Sequence, residues 1–274
     1  MKTNLPILFL WLALLWVPAN AFAQEVPALR YRSSVPLSSP TTISQDRSGN
    51  VYLLGKNRNL VRLDSLGRPL GTFSPPTRGR IAGIDAWNPM KVLLFYEDRQ
   101  ELLLLDRFLR PITNASLMDL NYEGTAHVAA LAADDGFWLF DETNLTLSKL
   151  DIRLRQTTAE TPLNLILDRE RFDVRQLREH QNMVYLLDYT SGIYVFDNLG
   201  NYKQKLPFTG LQHIGFLHNE LYFVQDGQLH FFDLYTQERR SIALPANKPY
   251  VAALVAGETV YLFTAKAADL YNLQ

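Results

Sequence analysis

The chain has 274 residues, 47% of them hydrophobic and 12% aromatic, with 27 basic side chains against 28 acidic ones and no cysteine. A balance this close to neutral argues against nucleic acid as a partner, since a phosphate backbone needs a clustered cationic surface. Without cysteine there are no disulfides and no thiol chemistry, so stability rests on a core, which about 250 residues can supply.

The first 23 residues read as an export signal. Met1-Lys2 gives a basic start, residues 5–17 are apolar, Pro18 breaks the run, and Ala21-Phe22-Ala23 has the small-x-small pattern of a signal-peptidase site. The apolar run is shorter than the roughly 20 residues of a membrane span. The expected product is an exported, periplasmic chain in which residues 24–274 form a single domain. It inserts no transmembrane segment of its own.

From there the sequence repeats. "VYLL" at Val51 returns as "VLLF" at Val92, "FWLF" at Phe137, "VYLL" at Val184, "LYFV" at Leu221 and "VYLF" at Val260, a spacing of roughly 40 residues. Each run is short, β-branched or aromatic, and bounded by turn formers, as expected of a strand buried on both faces. A second apolar run follows each and ends at Asp64, Asp106, Asp151, Asp197 or Asp233, with Asn272 in the last unit. Asp and Asn suit such turns because their side chains accept a backbone N–H two residues on. A strand candidate precedes each first run ("TTIS", "IAGIDA", "VAALAA", "VRQL", "QHIGFL", "VAALVA"), and a more polar one follows each Asp turn.

Six units of four strands describe an all-β, six-bladed β-propeller. The last unit lacks a fourth strand, whereas the segment 24–37 has no sheet of its own. The expectation is that residues 28–35 complete the sixth blade and close the ring. Two connections are longer, at 114–126 and 162–180, the second with room for a helical turn before its strand. Such insertions often carry binding surfaces.

Several chemical readings fail. "DRSGN" (46–50) alternates oxygen-bearing side chains around Gly49, but "VYLL" follows at once, without the flanking helices and terminal Glu of a calcium loop. It reads as a bend. The histidines, His127, His180, His213, His218 and His230, form no zinc-ligand spacing, and Asp134-Asp135 sits at a hairpin turn. No nucleophile elbow or phosphate-cradling glycine loop occurs. Neither metal, cofactor nor catalytic residue is expected. The remaining candidates flank the first strand of each unit, which lines a propeller's channel. Ser44, Asp85, Arg175, Arg178 and His213 either bind a small ligand or ion there or solvate a narrow channel. Trp87 and Tyr122, on loops, are candidate anchors for a protein partner.

The units "DRSGNVYLLGKNRNLVRLDSLGRPL" and "NMVYLLDYTSGIYVFDNLGNYKQKL" resemble the six-bladed propellers of the NHL and TolB types. Both have a Gly- or Asn-containing turn, an apolar strand, a polar hairpin, a strand ending in Asp, and a glycine shortly after. Asp106 and Asp151 lack that glycine. Enzymes of this kind hold a channel metal through Glu, Asn and Asp from several blades, a set that does not map onto this sequence. A second resemblance, over "IDAWNPMKVLLFYEDRQELLLLD" (84–106), is to exported propeller proteins of bacteria with type IX secretion and gliding machineries. Together these imply a non-enzymatic periplasmic scaffold that docks another envelope protein, an outer-membrane-associated one among the expected partners. The rival is a ligand-binding or hydrolytic propeller using the channel mouth.

Overall fold

The computed structural model describes residues 29–37, 42–55, 57–76 and 79–273. The export signal expected over residues 1–23 lies outside them. Among the described residues, no helix is long and apolar enough to cross a membrane.

Among the described residues, twenty-four strands form six four-stranded sheets. Blade 1 holds β2 (Ile43–Gln45), β3 (Val51–Leu54), β4 (Leu60–Leu63) and β5 (Pro69–Phe73). Blade 2 holds β6 (Ile81–Asp85), β7 (Lys91–Tyr96), β8 (Glu101–Asp106) and β9 (Pro111–Ser116). In blade 3 are β10 (Ala126–Leu131), β11 (Phe137–Asp141), β12 (Thr146–Asp151) and β13 (Gln156–Pro162). In blade 4 are β14 (Val174–His180), β15 (Met183–Asp188), β16 (Gly192–Asp197) and β17 (Tyr202–Leu206). Blade 5 comprises β18 (Ile214–Leu217), β19 (Glu220–Gln225), β20 (Gln228–Asp233) and β21 (Arg239–Ala243). Blade 6 takes β22 (Ala252–Ala256), β23 (Thr259–Phe263) and β24 (Ala267–Leu273), and its outer strand is β1 (Leu29–Pro36).

This is the six-bladed ring read from the repeat, closed as expected by the amino-terminal strand. β1 runs antiparallel to β24 from Leu29 opposite Leu273 to Pro36 opposite Ala267. Six apolar clusters hold the ring, one between each pair of neighbouring blades. Trp138, Phe140, Leu186 and Phe196 fill the gap between blades 3 and 4, and Leu53, Tyr261, Phe263 and Leu270 fill the closing gap between blades 6 and 1. Because each sheet is buried on both faces, its second strand carries a run of four consecutive apolar residues, as in β3, β11 and β23.

The Asp turns explain the recurring aspartates. The Oδ1 of Asp64, Asp106 and Asp197 accepts the N–H groups of the residues two and four positions on. A residue with positive φ then closes the turn. It is Gly67 or Gly200 where glycine is present, and Leu109 (φ 62°) after Asp106 and Arg155 (φ 51°) after Asp151, where it is not. The "DRSGN" bend works similarly, with the Asp46 carboxylate accepting the N–H groups of Ser48 and Asn50, the Asn50 side chain and the Tyr52 hydroxyl.

One expectation needs correction. Asn272 is not a turn residue. It lies inside β24, between Arg30 and Thr259, because β1 occupies the place a turn would lead to. The insertion at 114–126 is a wedge, with Leu117, Leu120 and Tyr122 buried against Phe137 and Leu150 between blades 2 and 3. The other insertion closes one turn, with the Leu167 N–H donating to the Leu163 carbonyl at 2.7 Å, and forms no helix.

Since the strands of a blade alternate in direction, the first and third turns of every blade open on one face, here called the lower face. The second turns and the connections between blades open on the upper face.

Candidate functional site

β2, β6, β10, β14, β18 and β22 surround the axis, and their polar residues meet there. Arg178 extends from β14 of blade 4 and is only 6% exposed. Its Nη2 donates to Ser44 Oγ of blade 1 at 3.2 Å, and its Nη1 lies 3.6 Å from Asp85 Oδ1 of blade 2. Asp85 is fixed in turn by the N–H groups of Trp87 on Oδ1 and Leu131 on Oδ2, each at 3.0 Å. Ser44 Oγ accepts the N–H of Ala86 at 3.0 Å. Four blades are thus tied to one buried ion pair. The other side of the ring has its own clasp. Gln45 Nε2 donates to the Val255 carbonyl, Tyr222 OH donates to Gln45 Oε1, and the Val255 N–H donates to Tyr222 OH.

On the upper side of this plug is a cavity of about 50 Å³, lined by Arg175, Gln176, Arg178, Gln212, His213 and His127 among apolar neighbours such as Ile43 and Ile84. Arg175 donates to Asp173 and Gln212 and lies over the Tyr189 ring at 3.8 Å. His213 is 7% exposed. Both of its ring nitrogens, and Arg178 Nε, are buried without a protein partner. Burial first, and then the charge of Arg178, pushes the imidazole down to about 3, so His213 is neutral and offers one donor and one acceptor. The cavity has room and partners for ordered water or a polar group of similar size.

The lower mouth is wider. Two depressions, of about 460 and 380 Å³, share Arg47, Trp87 and His180 as their common wall. Trp87 starts from blade 2 and crosses the axis, with its ring 5.8 Å from the Arg178 guanidinium and edge-on to His180 at 5.3 Å. His180 stacks on Phe216 at 4.4 Å and donates through Nε2 to the His218 carbonyl at 3.1 Å. Its Nδ1 has no partner, and burial holds its pKa down at about 4. Beside it, Glu179 Oε2 accepts from Trp138 Nε1 at 2.6 Å.

Of the residues singled out from sequence, Ser44, Asp85 and Arg178 touch one another, and His213 and Arg175 join Arg178 around the cavity. Trp87 is half-buried over the mouth rather than projecting from a loop tip. Tyr122, 8% exposed, is a core residue whose phenol is pushed up by burial, so it offers no free anchor. Sequence reasoning missed Arg47, His180 and Gln45. The one usable signal was the Tyr at the second position of four repeat strands, whose hydroxyl in blade 5 completes the Gln45 clasp.

No family model matches the chain, and no curated protein does. Solved structures do. The chain is similar to a streptogramin B lyase (15% identity, TM-score 0.61, covering 90% of this chain and 97% of that one). It is similar also to the β-propeller domain of Cps50 (Swd1) from Myceliophteria thermophila (9%, 0.63, 90% and 100%). A third is BamB from Moraxella catarrhalis (11%, 0.50, 89% and 98%). At these identities the likeness shows a shared fold.

Proposed function

We propose that the chain is a non-enzymatic interaction scaffold of the bacterial periplasm that docks another envelope protein over its lower mouth. The observation that carries this reading is the Arg47–Trp87–His180 wall between two open depressions, at the lower end of an axis closed by the Ser44–Asp85–Arg178 plug. A half-buried Trp beside an Arg in a shallow depression is the composition of a protein-binding hot spot, and the plug leaves no deep substrate channel beneath it. The leader pattern of residues 1–23 supports the periplasmic location. The resemblance over 84–106 supports membership of an envelope complex of the secretion or gliding kind.

The test is affinity capture from native envelope, followed by titration of the purified captured protein against wild type, Trp87→Ala and Arg47→Glu. The expected result is a partner whose binding falls at least tenfold in both variants while their melting temperatures stay within a few degrees of wild type. Equal binding by all three proteins would refute the mouth as the docking site.

One observation favours the rival reading, a small-molecule propeller: the unpartnered nitrogens of His213 beside the upper cavity. Stoichiometric metal in the purified protein, or a small molecule whose binding is lost in His213→Leu, is the result that reading requires.

A further inference from the structure

The third turns share more than their aspartates. Each carries one large apolar side chain at its tip: Leu66, Phe108, Leu154, Leu199 and Tyr235, exposed from 42% at Leu66 to 70% at Leu199. The turn chemistry forces this. The N–H of every tip residue donates to its turn's Asp at 2.8–3.0 Å, so the backbone wraps the carboxylate and leaves the tip side chain outside. The same fold sorts charge. Asp64, Asp106 and Asp151 are turned inward, with side chains 16–23% exposed, whereas Arg68, Arg110 and Arg153, which pair with them at 2.6, 2.7 and 3.9 Å, keep most of their length outside, at 73%, 72% and 82% exposed. Arg107 and Arg110 flank the Phe108 ring at 4.7 and 5.1 Å.

All five tips stand on the rim of the lower face, one per blade, and Met90 in the first turn of blade 2 adds another exposed apolar side chain on that face. The sixth position has no such turn, because β1 closes that blade. Single exposed apolar residues are ordinary, but one at the same place in five blades is a pattern. The tips belong to five different blades, each beside charged residues of its own turn, so they present separate points and not one apolar patch. A bilayer accepts separate points of entry in one plane, and its phosphates match the exposed cations beside four of the five tips. The acids on this face include the turn aspartates, of which Asp64, Asp106, Asp151 and Asp197 are paired with Arg68, Arg110, Arg153 and Lys203, together with Asp46, Glu238 and Glu258; Asp134, Asp135 and Glu220 are paired with Lys149, Lys91 and Arg240.

We infer that the lower rim rests on a lipid surface containing anionic headgroups, with the five tips at the boundary between headgroups and acyl chains and Arg68, Arg110, Arg153 and Lys203 at the phosphates. This goes beyond the docking reading and uses other residues. It places the mouth opposite whatever protein emerges from that surface.

The test is vesicle flotation of residues 24–274, which contain every described strand. The vesicles are phosphatidylethanolamine–phosphatidylglycerol (3:1) or phosphatidylcholine alone. Wild type is expected to float with the anionic vesicles, less so in high salt, and weakly with phosphatidylcholine. Phe108→Ser with Leu199→Ser should lower the partition coefficient on the order of 100-fold, about tenfold per tip, and Arg110→Glu with Arg153→Glu should weaken the anionic vesicles alone. These are surface changes, so melting temperatures should stay within a few degrees of wild type, the Glu variants losing only the exposed pairs to Asp106 and Asp151. Arg47→Glu, which tests partner docking, should leave flotation within twofold. Wild type that stays with neither vesicle, or tip variants that float as well as wild type, overturns the inference. So does a wild-type dimer in sedimentation equilibrium that the tip substitutions abolish without any vesicle binding, which would assign the rim to a second copy of the chain.

Discussion

Arg178 Nη2 donates to Ser44 Oγ at 3.2 Å although 134 residues separate them along the chain. The contact exists only in the closed ring, so the axis reports on the whole fold.

Arg178→Met should therefore be costly. It leaves the Asp85 carboxylate, 3% exposed, without its cation, although Trp87 and Leu131 still donate to it. Breaking a buried pair on one side costs about 3 kcal/mol, or roughly 6–12 °C in melting temperature for a chain of this size. The double variant Arg178→Met, Asp85→Asn should lose clearly less than the sum of the two single changes. Additive losses in thermal melts would show that the pair is not coupled.

The two buried histidines set an acid limit. Both are neutral in the fold, with pKa values of about 3 for His213 and about 4 for His180, against an ordinary 6.5. The unfolded chain takes up protons below about pH 6.5 that the folded chain refuses. Stability is thus full above that pH and falls as pH drops towards 4, each histidine contributing a slope of about 1.4 kcal/mol per pH unit. His213→Gln should flatten the fall in melting temperature between pH 6.5 and 5 by about half. An unchanged pH profile would mean that His213 is protonated or solvated in the fold.

Asp197 works in the opposite range. The Asn201 side chain and backbone hydrogen bonds hold its pKa at about 2. Its contribution is present above the ordinary carboxylate value near 3.8 and is lost as pH falls through about 2. The difference in melting temperature between wild type and Asp197→Ala should accordingly be largest near neutral pH and shrink towards pH 2. A difference that persists at pH 2 would assign it to packing.

Removing residues 24–36 takes away the outer strand of blade 6 and exposes the edge of β24. The shortened chain should melt at least 10 °C lower or aggregate, since an unpaired edge is a template for association. Unaltered melting would refute the latch.

Much of the architecture was legible because propeller geometry is written locally. Val51–Leu54 and its counterparts are apolar throughout because each is buried on both faces, and Asp64 or Asp197 ends a strand because its carboxylate builds the turn. Ring closure was legible by subtraction, from a unit short of one strand and a strand short of a sheet. The site was legible only as a list of residues near the axis. That Arg178 joins Ser44 and Asp85, that Trp87 crosses from blade 2 to His180, and that Tyr122 turns inward depend on side-chain direction across blades. Residues roughly 40 or more positions apart leave no periodic trace of such meetings. The exposed tips were missed for a different reason: Leu66, Phe108 and Leu199 read as ordinary apolar residues until the Asp turn shows which way they point.

Pairing Leu29 with Leu273 also orders events in time. These two strands lie far apart along the chain, so the other five blades can pair within themselves before β1 docks on β24. Contacts that span nearly the whole polymer slow the closing step, and until it is complete β24 carries a bare sheet edge open to association.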